Sequence, residues 1–297
     1  MIRLGALGDF VLSFAPFAAI RAHHAQDTVT LLTTAAFEGL ARASPWFDAV
    51  AVDARPRWWQ VAAAWRLRRF LHGFDLVYDL QTSRRSSNYF RLAGSPPWSG
   101  VARGCSLPHR NPGRDAMHTL ERQREQLAEA GVPPTPADLS WLASPVPAMP
   151  QPFVLLAPGA APHRPEKRWP ADRYGSLAAR LRARGMTPVV VGSRGESALA
   201  ASIRARCPEA VDLTGRTTLL DLAALAARAA LAVGNDTGPM HLAAAMGTPC
   251  LVLFSGASDP ALTAPRGVGG SWPGLLRVPD LASLAVERVA AALPLPS

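Results

Sequence analysis

Short apolar runs alternate with Ala-, Leu- and Arg-rich stretches along the whole chain, and this alternation constrains the fold most strongly. Runs such as 153–157 and 187–191 hold consecutive apolar residues, without an apolar/polar alternation. Strands of that kind are buried on both faces, which is typical of a parallel sheet covered by helices. The sequence therefore predicts an α/β protein with doubly wound parallel sheets.

The same patterns predict strands at 2–4, 28–32, 75–80, 153–157, 187–191, 210–213, 230–233 and 249–254. Helices are predicted at 10–22, 117–130, 171–184, 219–228 and 281–292. Segment 55–72 combines Trp58, Trp59 and Trp65 with five arginines, and its amphipathicity is imperfect. We interpret it as a helix that packs on the core, with contact to a membrane or a lipid-bearing acceptor as the alternative.

Seven prolines between Val132 and Phe153 indicate a domain boundary. Neither a helix nor a central strand tolerates that density, so residues 133–152 are predicted to form a semi-rigid connector. It would separate an N-terminal Rossmann-like domain over 1–140 from a nucleotide-sugar-binding one over 141–297, and the last helix could pack back on the first domain. Two such domains would face each other across a cleft, with ligands beyond the carboxyl ends of the strands.

Composition excludes several classes of protein. The hydrophobic content of 48% is too high for a disordered chain, and prolines interrupt the longest uncharged stretch, 139–162, so no membrane span is predicted. Asp9 interrupts the apolar N-terminal segment, and we expect no cleaved signal peptide. Cys105, Cys207 and Cys250 lie far apart, which predicts neither a disulfide framework nor a zinc site and fits a reducing cytoplasm.

The net charge of +9 comes from 31 basic and 22 acidic residues, and Lys167 is the one lysine beside 30 arginines. The two halves of the chain carry similar excesses, and no run of Lys or Arg is longer than two. A nucleic-acid binder usually concentrates its charge on one arm or face, so no nucleic-acid partner is expected. An ordinary Arg-rich surface and a protein that handles anionic partners both stay open.

The first candidate motif is Gly5-Ala6-Leu7-Gly8-Asp9, between the first predicted strand and helix 10–22. Gly5 and Gly8 would allow a tight turn and the close approach of a ligand, and Asp9 stands near the predicted N-cap of the helix. The dinucleotide fingerprint G-x-G-x-x-G is absent. Asp9 is therefore either a helix cap or a carboxylate that accepts a proton from an attacking hydroxyl.

The second motif follows the predicted strand 153–157. Gly159 and Ala160 open the loop, and Lys167 with Arg168 brings cations to the carboxyl end of the strand. A compact ammonium group with three donors is a common phosphate ligand. We therefore interpret Lys167 as a phosphate ligand, with chance survival of a single lysine as the alternative.

The third and most specific motif spans residues 234–249 and follows the predicted strand 230–233. Asp236 or Thr237 would cap the next helix, and Pro239 suits its first turn. The free N–H groups at such a helix start, the Thr237 hydroxyl and the helix dipole would together bind a diphosphate. An ordinary strand-turn-helix is the alternative.

Two further side chains are candidates for contact with a ligand. Glu196 follows the strand 187–191 and would accept hydrogen bonds from ribose hydroxyls, or be a solvated glutamate at a helix start. His241 would touch a phosphate or a sugar, or have a structural role. The chain has no phosphate-binding P-loop, no H-E-x-x-H and no pair of aspartates at i and i+2, so neither a metal nor another cofactor is expected.

The three motifs, in this order, resemble those of glycosyltransferase family nine, the ADP-heptose:lipopolysaccharide heptosyltransferases. The family's R-L-G-[AS]-L-G-D, K-x-W-P and G-[ND]-D-[ST]-G-x-x-H-[LI]-A-A-A-x-G-x-P stand here at 3–9, 167–170 and 234–249. The resemblance implies a GT-B fold of two Rossmann-like domains and metal-independent, inverting transfer from a nucleotide-activated sugar. It also implies a cytoplasmic enzyme of lipopolysaccharide core synthesis, in peripheral contact with the inner membrane.

Carried over residue by residue, the resemblance also implies roles. Asp9 is similar to the catalytic base that takes the proton of the acceptor hydroxyl. Lys167 is similar to the partner of the donor diphosphate, whose phosphates the turn Thr237-Gly238-Pro239-Met240 would receive. Asp236 would contact the donor sugar and Glu196 the ribose.

Three hypotheses stay open at the level of the sequence. The first is a transferase that moves heptose from ADP-heptose to a lipopolysaccharide core or related glycan; the second is a sugar-nucleotide epimerase of the same two-domain plan. The third is a non-catalytic module that binds glycan or nucleic acid. Family members often carry Ser or Thr where this chain has Ala161, and only four residues precede Gly5. The donor sugar and its base, the acceptor, the oligomeric state and the natural start at Met1 therefore stay open.

Overall fold

A computed structural model describes residues 1–56, 59–143, 145 and 148–294. The chain divides into two units, Met1–Trp141 and Leu142–Ser297. In the described part of the Pro-rich segment 133–152, a single 3-10 turn, Ser140–Leu142, is the only regular element. Across the described residues, no helix is both long enough and apolar enough to cross a bilayer.

Unit 1 alternates short strands with helices and holds two small parallel sheets. One sheet consists of β1 (Thr30–Thr33) and β2 (Ala49–Val52), and the other of β3 (Val77–Tyr78), β4 (Trp98–Gly100) and β5 (Leu107–Pro108). The helices are α1 (Leu7–Leu12), α2 (Phe14–His23), α3 (Ala35–Ala43), α4 (Val61–Leu71), α5 (Arg84–Leu92) and α6 (Thr119–Glu129). Five of these elements, β2, β4, β5, α3 and α5, were not predicted.

The predicted strand 2–4 is wrong as a strand, yet its first residue joins the two sheets of unit 1. Ile2 makes isolated parallel bridges to Leu32 in β1 and to Asp79 just after β3. The ladder stops there because the chain turns at Gly5, whose φ of +125° is accessible to glycine and rarely to other residues. Both sheets of unit 1 therefore end beside this turn.

The predicted helix 10–22 begins earlier and is interrupted. Gly8 and Asp9 are residues of α1, so Gly8 does not form part of the turn. The N-cap position belongs to Ala6, and Asp9 does not cap: it lies in the first turn of the helix. The Ser13 hydroxyl donates to the carbonyl of Asp9 over 2.8 Å, a local bond that competes with the regular helix pattern where α1 ends and α2 begins.

The interpretation of segment 55–72 as a core-packing helix is wrong for its described tryptophans. α4 is anchored to the core of unit 1 by the buried Leu71. Trp59 and Trp65 are 54% and 58% exposed. Trp58, like the residue before it, lies outside the described residues. The helix is thus placed on the surface of unit 1.

Unit 2 is built on one six-stranded parallel sheet with the order β11-β10-β9-β6-β7-β8. Its strands are β6 (Phe153–Ala157), β7 (Thr187–Val190), β8 (Val211–Asp212), β9 (Leu231–Asn235), β10 (Cys250–Phe254) and β11 (Gly274–Arg277). Its helices are α7 (Ala171–Ala183), α8 (Ser197–Arg206), α9 (Leu219–Ala226), α10 (Gly238–Ala245), α11 (Pro260–Thr263) and α12 (Val286–Ala291). The doubly wound parallel sheet predicted from the apolar runs is confirmed here.

The strand order of unit 2 is that of a dinucleotide-binding fold. Counted from the first strand of the unit, it reads 6-5-4-1-2-3, which is the Rossmann order written from the other edge. The order switches between β6 and β9, which pair in parallel with Ala157 opposite Gly234. Ligands of such sheets bind beyond the carboxyl ends of the strands at this switch point. A nucleotide is therefore expected at the loops that follow β6 and β9.

The central strands of unit 2 form its core. Every residue of β6, β7, β9 and β10 is buried, whereas β11, at the sheet edge, is half-exposed and escaped prediction. The predicted helix 281–292 divides into a 3-10 turn, Leu281–Ser283, and α12. The last helix packs against α7 in its own unit, with Val289 buried in the core.

A buried carboxylate lies just after β3 in unit 1. Oδ1 of Asp79 accepts hydrogen bonds from the N–H groups of Gln81 and Thr82. Burial outweighs the hydrogen bond of the Ser86 side chain, these two backbone bonds and the attraction of Arg3, and it raises the pKa of Asp79 to about 6.

Asp79→Asn should stabilise unit 1 at neutral pH more than at acid pH. The pKa of Asp79 is about 6 in the folded chain against an ordinary 3.8, so the native state holds this proton more tightly. The stabilisation that this proton gives the folded state is fully present below the unfolded pKa and is lost as pH rises through the folded pKa. The free energy of unfolding changes by about 3 kcal/mol. Urea unfolding should show the wild type losing this amount relative to the variant between about pH 3 and about pH 7.

The exposed Asp75 offers a matched control, because Asp75→Asn removes the same charge four positions earlier. An equal pH dependence for Asp75→Asn, or none for Asp79→Asn, would contradict the assignment of the titration to the buried carboxylate.

Candidate functional site

In unit 1 the candidate base is held by a buried arginine. Nη2 of Arg3 lies 3.3 Å from Oδ1 of Asp9, and the same guanidinium donates to the carbonyl of Leu80. The Arg3 side chain is 3% exposed, whereas that of Asp9 is 37% exposed. Desolvation by burial lowers the pKa of Arg3, and the Asp9 carboxylate opposes this shift. The carboxylate is thus fixed from the protein side and open on the other.

The turn that precedes Asp9 is fixed by the strand ends around it. The hydroxyl of Thr33, at the end of β1, donates to the Arg3 carbonyl over 2.7 Å. The side-chain carbonyl of Gln81, after β3, accepts a hydrogen bond from the N–H of Leu4 over 2.8 Å. A side chain at Gly5 would come within 3.0 Å of the Phe37 ring. Residues 3–9 therefore have a defined place at the carboxyl ends of β1 and β3.

In unit 2 one buried amide joins the three segments that meet at the switch point. Nδ2 of Asn235, the last residue of β9, donates to the carbonyls of Pro158 and Gly159 after β6, over 2.8 and 3.2 Å. Its Oδ1 atom accepts from the N–H of Trp169 and from the hydroxyl of Tyr174, both over 3.0 Å. Asn235 is fully buried, and its amide uses both functions.

This amide joins the start of the β6–α7 loop, at Pro158 and Gly159, to its end at Trp169, and the same loop carries Lys167. Lys167 ends a 3-10 turn, Pro165–Lys167, two residues before the bonded N–H of Trp169. Its Nζ atom donates to Oδ2 of Asp236 over 2.6 Å. The two side chains are only 18% and 7% exposed. The structure therefore brings the predicted phosphate ligand and the predicted sugar ligand into one ion pair at the carboxyl edge of the sheet.

Glu196 lies against the loop after β6. Its carboxylate accepts hydrogen bonds from the N–H and the hydroxyl of Ser193, so the helix-start interpretation describes its local bonding. A Cβ atom placed on Gly159 would lie 1.7 Å from Oε1 of Glu196, so the Glu196 carboxylate lies directly against this glycine. Ala160 is buried, and its carbonyl accepts from Arg168 over 3.1 Å. Gly159 and Ala160 are thus part of the loop that carries Lys167, and Glu196 lies against the start of that loop.

The helix that follows Asp236 begins at Gly238, with Thr237 at the N-cap position. Thr237 therefore occupies the expected N-cap position, but its hydroxyl makes no capping hydrogen bond. Pro239 lies in the first turn as predicted. Met240 and His241 are buried in α10.

The Met240 side chain belongs to the core. A Cβ atom on Gly234 would lie 2.6 Å from the Met240 sulfur and 2.8 Å from Cβ of Ala157, so the close packing of β6, β9 and α10 requires a glycine at this position. A contact of Met240 with a donor would therefore involve its backbone.

One group of possible metal ligands occurs among the described residues, and all its members belong to unit 1. His109, Glu125 and Glu129 have ligand atoms within 4.8 Å of one another. The ring of His109 already contacts Glu125 at 3.2 Å, and its other nitrogen accepts from Arg114. These bonds explain the cluster as a structural network.

Sequence reasoning named the motifs but missed the residues that orient them. Arg3 and Asn235 are both part of the quoted motifs, yet neither received a role, and Tyr174 was not considered. A polar residue close to the end of an apolar strand, as Asn235 is, was the one signal available.

Sequence comparison identifies relatives of the chain. The family described as glycosyltransferase family 9 (heptosyltransferase) matches residues 64–269. Lipopolysaccharide heptosyltransferase 1 of Pseudomonas aeruginosa is 31% identical over 258 residues, which cover 77% of this chain and 71% of the relative. Lipooligosaccharide heptosyltransferase 2 of Haemophilus influenzae is 35% identical over 120 residues, 39% of this chain. This chain spans 34% of the length of the Haemophilus influenzae relative.

A solved structure extends the likeness to the fold. ADP-heptose lps heptosyltransferase II of Escherichia coli has a TM-score of 0.78 at 22% identity, over 98% of this chain and 96% of that chain. At this identity the likeness indicates the fold alone. It confirms the predicted α/β class and, within that class, the predicted GT-B fold of the heptosyltransferases.

Asn235→Ala should destabilise unit 2 by about 3 kcal/mol, because it leaves two buried carbonyls, an N–H and a hydroxyl without their partner. Asn235→Asp keeps the acceptor but replaces the donor with a second oxygen that faces two buried carbonyls, so it should destabilise unit 2 at least as much as alanine. Urea unfolding measures the stability, and hydrogen exchange at the amide of Trp169 should be faster in Asn235→Ala than in wild type.

The exposed Asn88 on α5 provides the control, since Asn88→Ala removes the same amide from the surface. Equal exchange at Trp169 in wild type and Asn235→Ala would show that the amide does not fix the loop.

Proposed function

Because the chain belongs to glycosyltransferase family 9, we propose that it transfers heptose from ADP-heptose to a lipopolysaccharide core or a related bacterial glycan. The proposal describes an inverting, metal-independent displacement. The names of the relatives, which are heptosyltransferases of lipopolysaccharide and lipooligosaccharide, support the sugar and the acceptor class. The name of the Escherichia coli protein, ADP-heptose lps heptosyltransferase II, supports ADP-heptose as the donor.

The observation that carries the proposal is the ion pair of Lys167 and Asp236 at the switch point of a Rossmann-ordered sheet. A nucleotide is expected at that edge, and the pair offers a cation for its phosphates beside an acceptor for sugar hydroxyls. The start of α10 adds N–H groups and the positive end of a helix dipole. These groups can stabilise a departing diphosphate.

In the proposed reaction, a carboxylate oxygen of Asp9 takes the proton of an acceptor hydroxyl while that hydroxyl oxygen bonds to the anomeric carbon of the donor. The bond between that carbon and the diphosphate oxygen breaks, and its electron pair leaves with ADP. Attack from the face opposite the leaving group inverts the configuration. Arg3 orients the base, because it approaches one carboxylate oxygen from the protein interior.

The donor would use the loops of unit 2. Lys167 would bind the diphosphate, together with the backbone of the turn from Thr237 to Met240. Asp236 would accept hydrogen bonds from the sugar hydroxyls, and Glu196, which lies against Gly159, from the ribose. In this arrangement the charge of the leaving group is balanced by a lysine and a helix terminus.

Asp9→Asn should lower kcat by about 1,000-fold, since the amide cannot accept the proton, and should leave ADP affinity unchanged. Transfer to a lipopolysaccharide core acceptor measures the first effect and calorimetry the second. Asp75→Asn, an exposed change in the same unit, is the control. Undiminished turnover of Asp9→Asn would show that Asp9 is not the catalytic base. Conversion of the nucleotide sugar without an acceptor would favour the epimerase hypothesis.

Lys167→Met should weaken ADP binding by about 2 kcal/mol, roughly 30-fold, because the phosphate loses a charged donor. Lys167→Arg keeps the charge but not the compact shape, so it should bind with intermediate affinity.

In a thermal-shift assay of the wild type, ADP should raise the melting temperature, and UDP and GDP should not. Equal shifts with all three nucleotides would contradict adenine as the nucleobase of the donor.

A further inference from the structure

The outward face of α4 in unit 1 combines exposed apolar side chains with arginines. Val61 is 71% exposed and Trp65 58% exposed. At about 100° per residue, Val61, Trp65 and Arg69 lie within one third of the helix circumference. The Arg69 guanidinium lies 5.8 Å from the centre of the Trp65 ring. The Trp–Arg face is defined here as these three residues with Arg66 and Arg68, which are exposed beside them.

The face lies in the segment that carries the entire net charge of the chain. Residues 54–114 hold 11 arginines and two acidic residues, Asp75 and Asp79. The rest of the chain holds 20 basic and 20 acidic residues, so it is neutral. The even spread inferred from the two halves of the chain does not hold at this finer scale. Because Asp79 is buried, Asp75 is the one exposed carboxylate in the segment.

The neighbouring helix enlarges the basic surface. α5 packs beside α4, and His72, just after α4, lies against Gly94, just after α5. Arg84, Arg85 and Arg91 of α5 are exposed, and α5 contains no acidic residue. The two helices therefore present cations without the alternating carboxylates of an ordinary solvated helix face.

This chemistry fits an anionic lipid surface better than other partners. Tryptophan favours the boundary between headgroups and acyl chains, and an aliphatic side chain such as Val61 gains by entering it. Arginines on the same helix would contact lipid phosphates. Phosphates of a nucleic acid would attract the arginines but would leave Val61 exposed. A second copy of the chain would bring like charges together.

We propose that the Trp–Arg face of α4, with the arginines of α5 beside it, docks unit 1 on the surface of a bilayer that contains anionic phospholipid. Trp65 and Val61 enter the headgroup region, and the arginines neutralise lipid phosphates. The inference depends on the surface alone and does not rest on the proposed transfer reaction.

Co-sedimentation of the full chain with vesicles of about 30% phosphatidylglycerol in phosphatidylcholine tests the proposal, without donor or acceptor. Binding should weaken with added salt and be small on pure phosphatidylcholine. Arg66→Gln with Arg69→Gln should lower partitioning roughly 30-fold, because each basic residue contributes about fivefold. Val61→Ser with Trp65→Ser should lower it about tenfold.

Matched changes in unit 2 separate the face from general effects. Trp272→Ser alters a tryptophan that is 52% exposed and also has an arginine over its ring. Arg204→Gln removes an exposed arginine from α8. Neither control should change partitioning, and circular dichroism and ADP affinity should be unchanged in the α4 variants.

Several results would overturn the proposal. These are no binding to anionic vesicles, equal loss in the controls, and tighter binding to single-stranded RNA than to vesicles. Dimerisation that the α4 variants abolish would assign the face to a second copy. Failure of vesicle binding would leave the transfer reaction untouched, because the assay contains neither of its substrates.

Discussion

The amide of Asn235 is the interaction on which the geometry of unit 2 depends. Two parallel strands end side by side at the switch point, and the backbone groups of the chain that leaves them need partners where water is excluded. One amide supplies two donors and an acceptor, and so joins the start of the loop after β6 to the end of that loop, just before α7. Because Asp236 is the next residue, its carboxylate is positioned by the same bonds. The distance to Lys167 follows from them.

The sequence predicted the fold best where burial is complete. Strand β6 was predicted at its observed bounds, because a strand covered on both faces needs an unbroken apolar run. The strands of unit 1 are two to four residues long, and a run that short does not stand out from its surroundings. The edge strand β11 was not predicted either, because it is half-exposed and lacks a long apolar run. The interruption at Ser13 coincides with a local side-chain hydrogen bond and precedes Pro16, which has no N–H to donate to the carbonyl of Leu12. Apolar periodicity does not show either feature.

For the candidate site, the position of motifs at strand ends was sufficient to predict that Gly159, Lys167 and Asp236 lie near one another. The residues that orient them were not predictable in this way, because the value of a buried polar group depends on partners far away in the sequence. Trp65 illustrates another limit. Helical periodicity separates two faces but does not tell which one turns inward when both carry large apolar side chains.

The position of Arg3 between two carboxylates has a consequence for kinetics. The guanidinium lies 3.3 Å from Asp9, and its charge also acts on the buried Asp79. When Asp79 takes up its proton near pH 6, one of the two negative charges near Arg3 disappears, and the electrostatic field at Asp9 changes with it. An acidic limb near this pH in a rate profile would thus report a side chain that never meets a substrate.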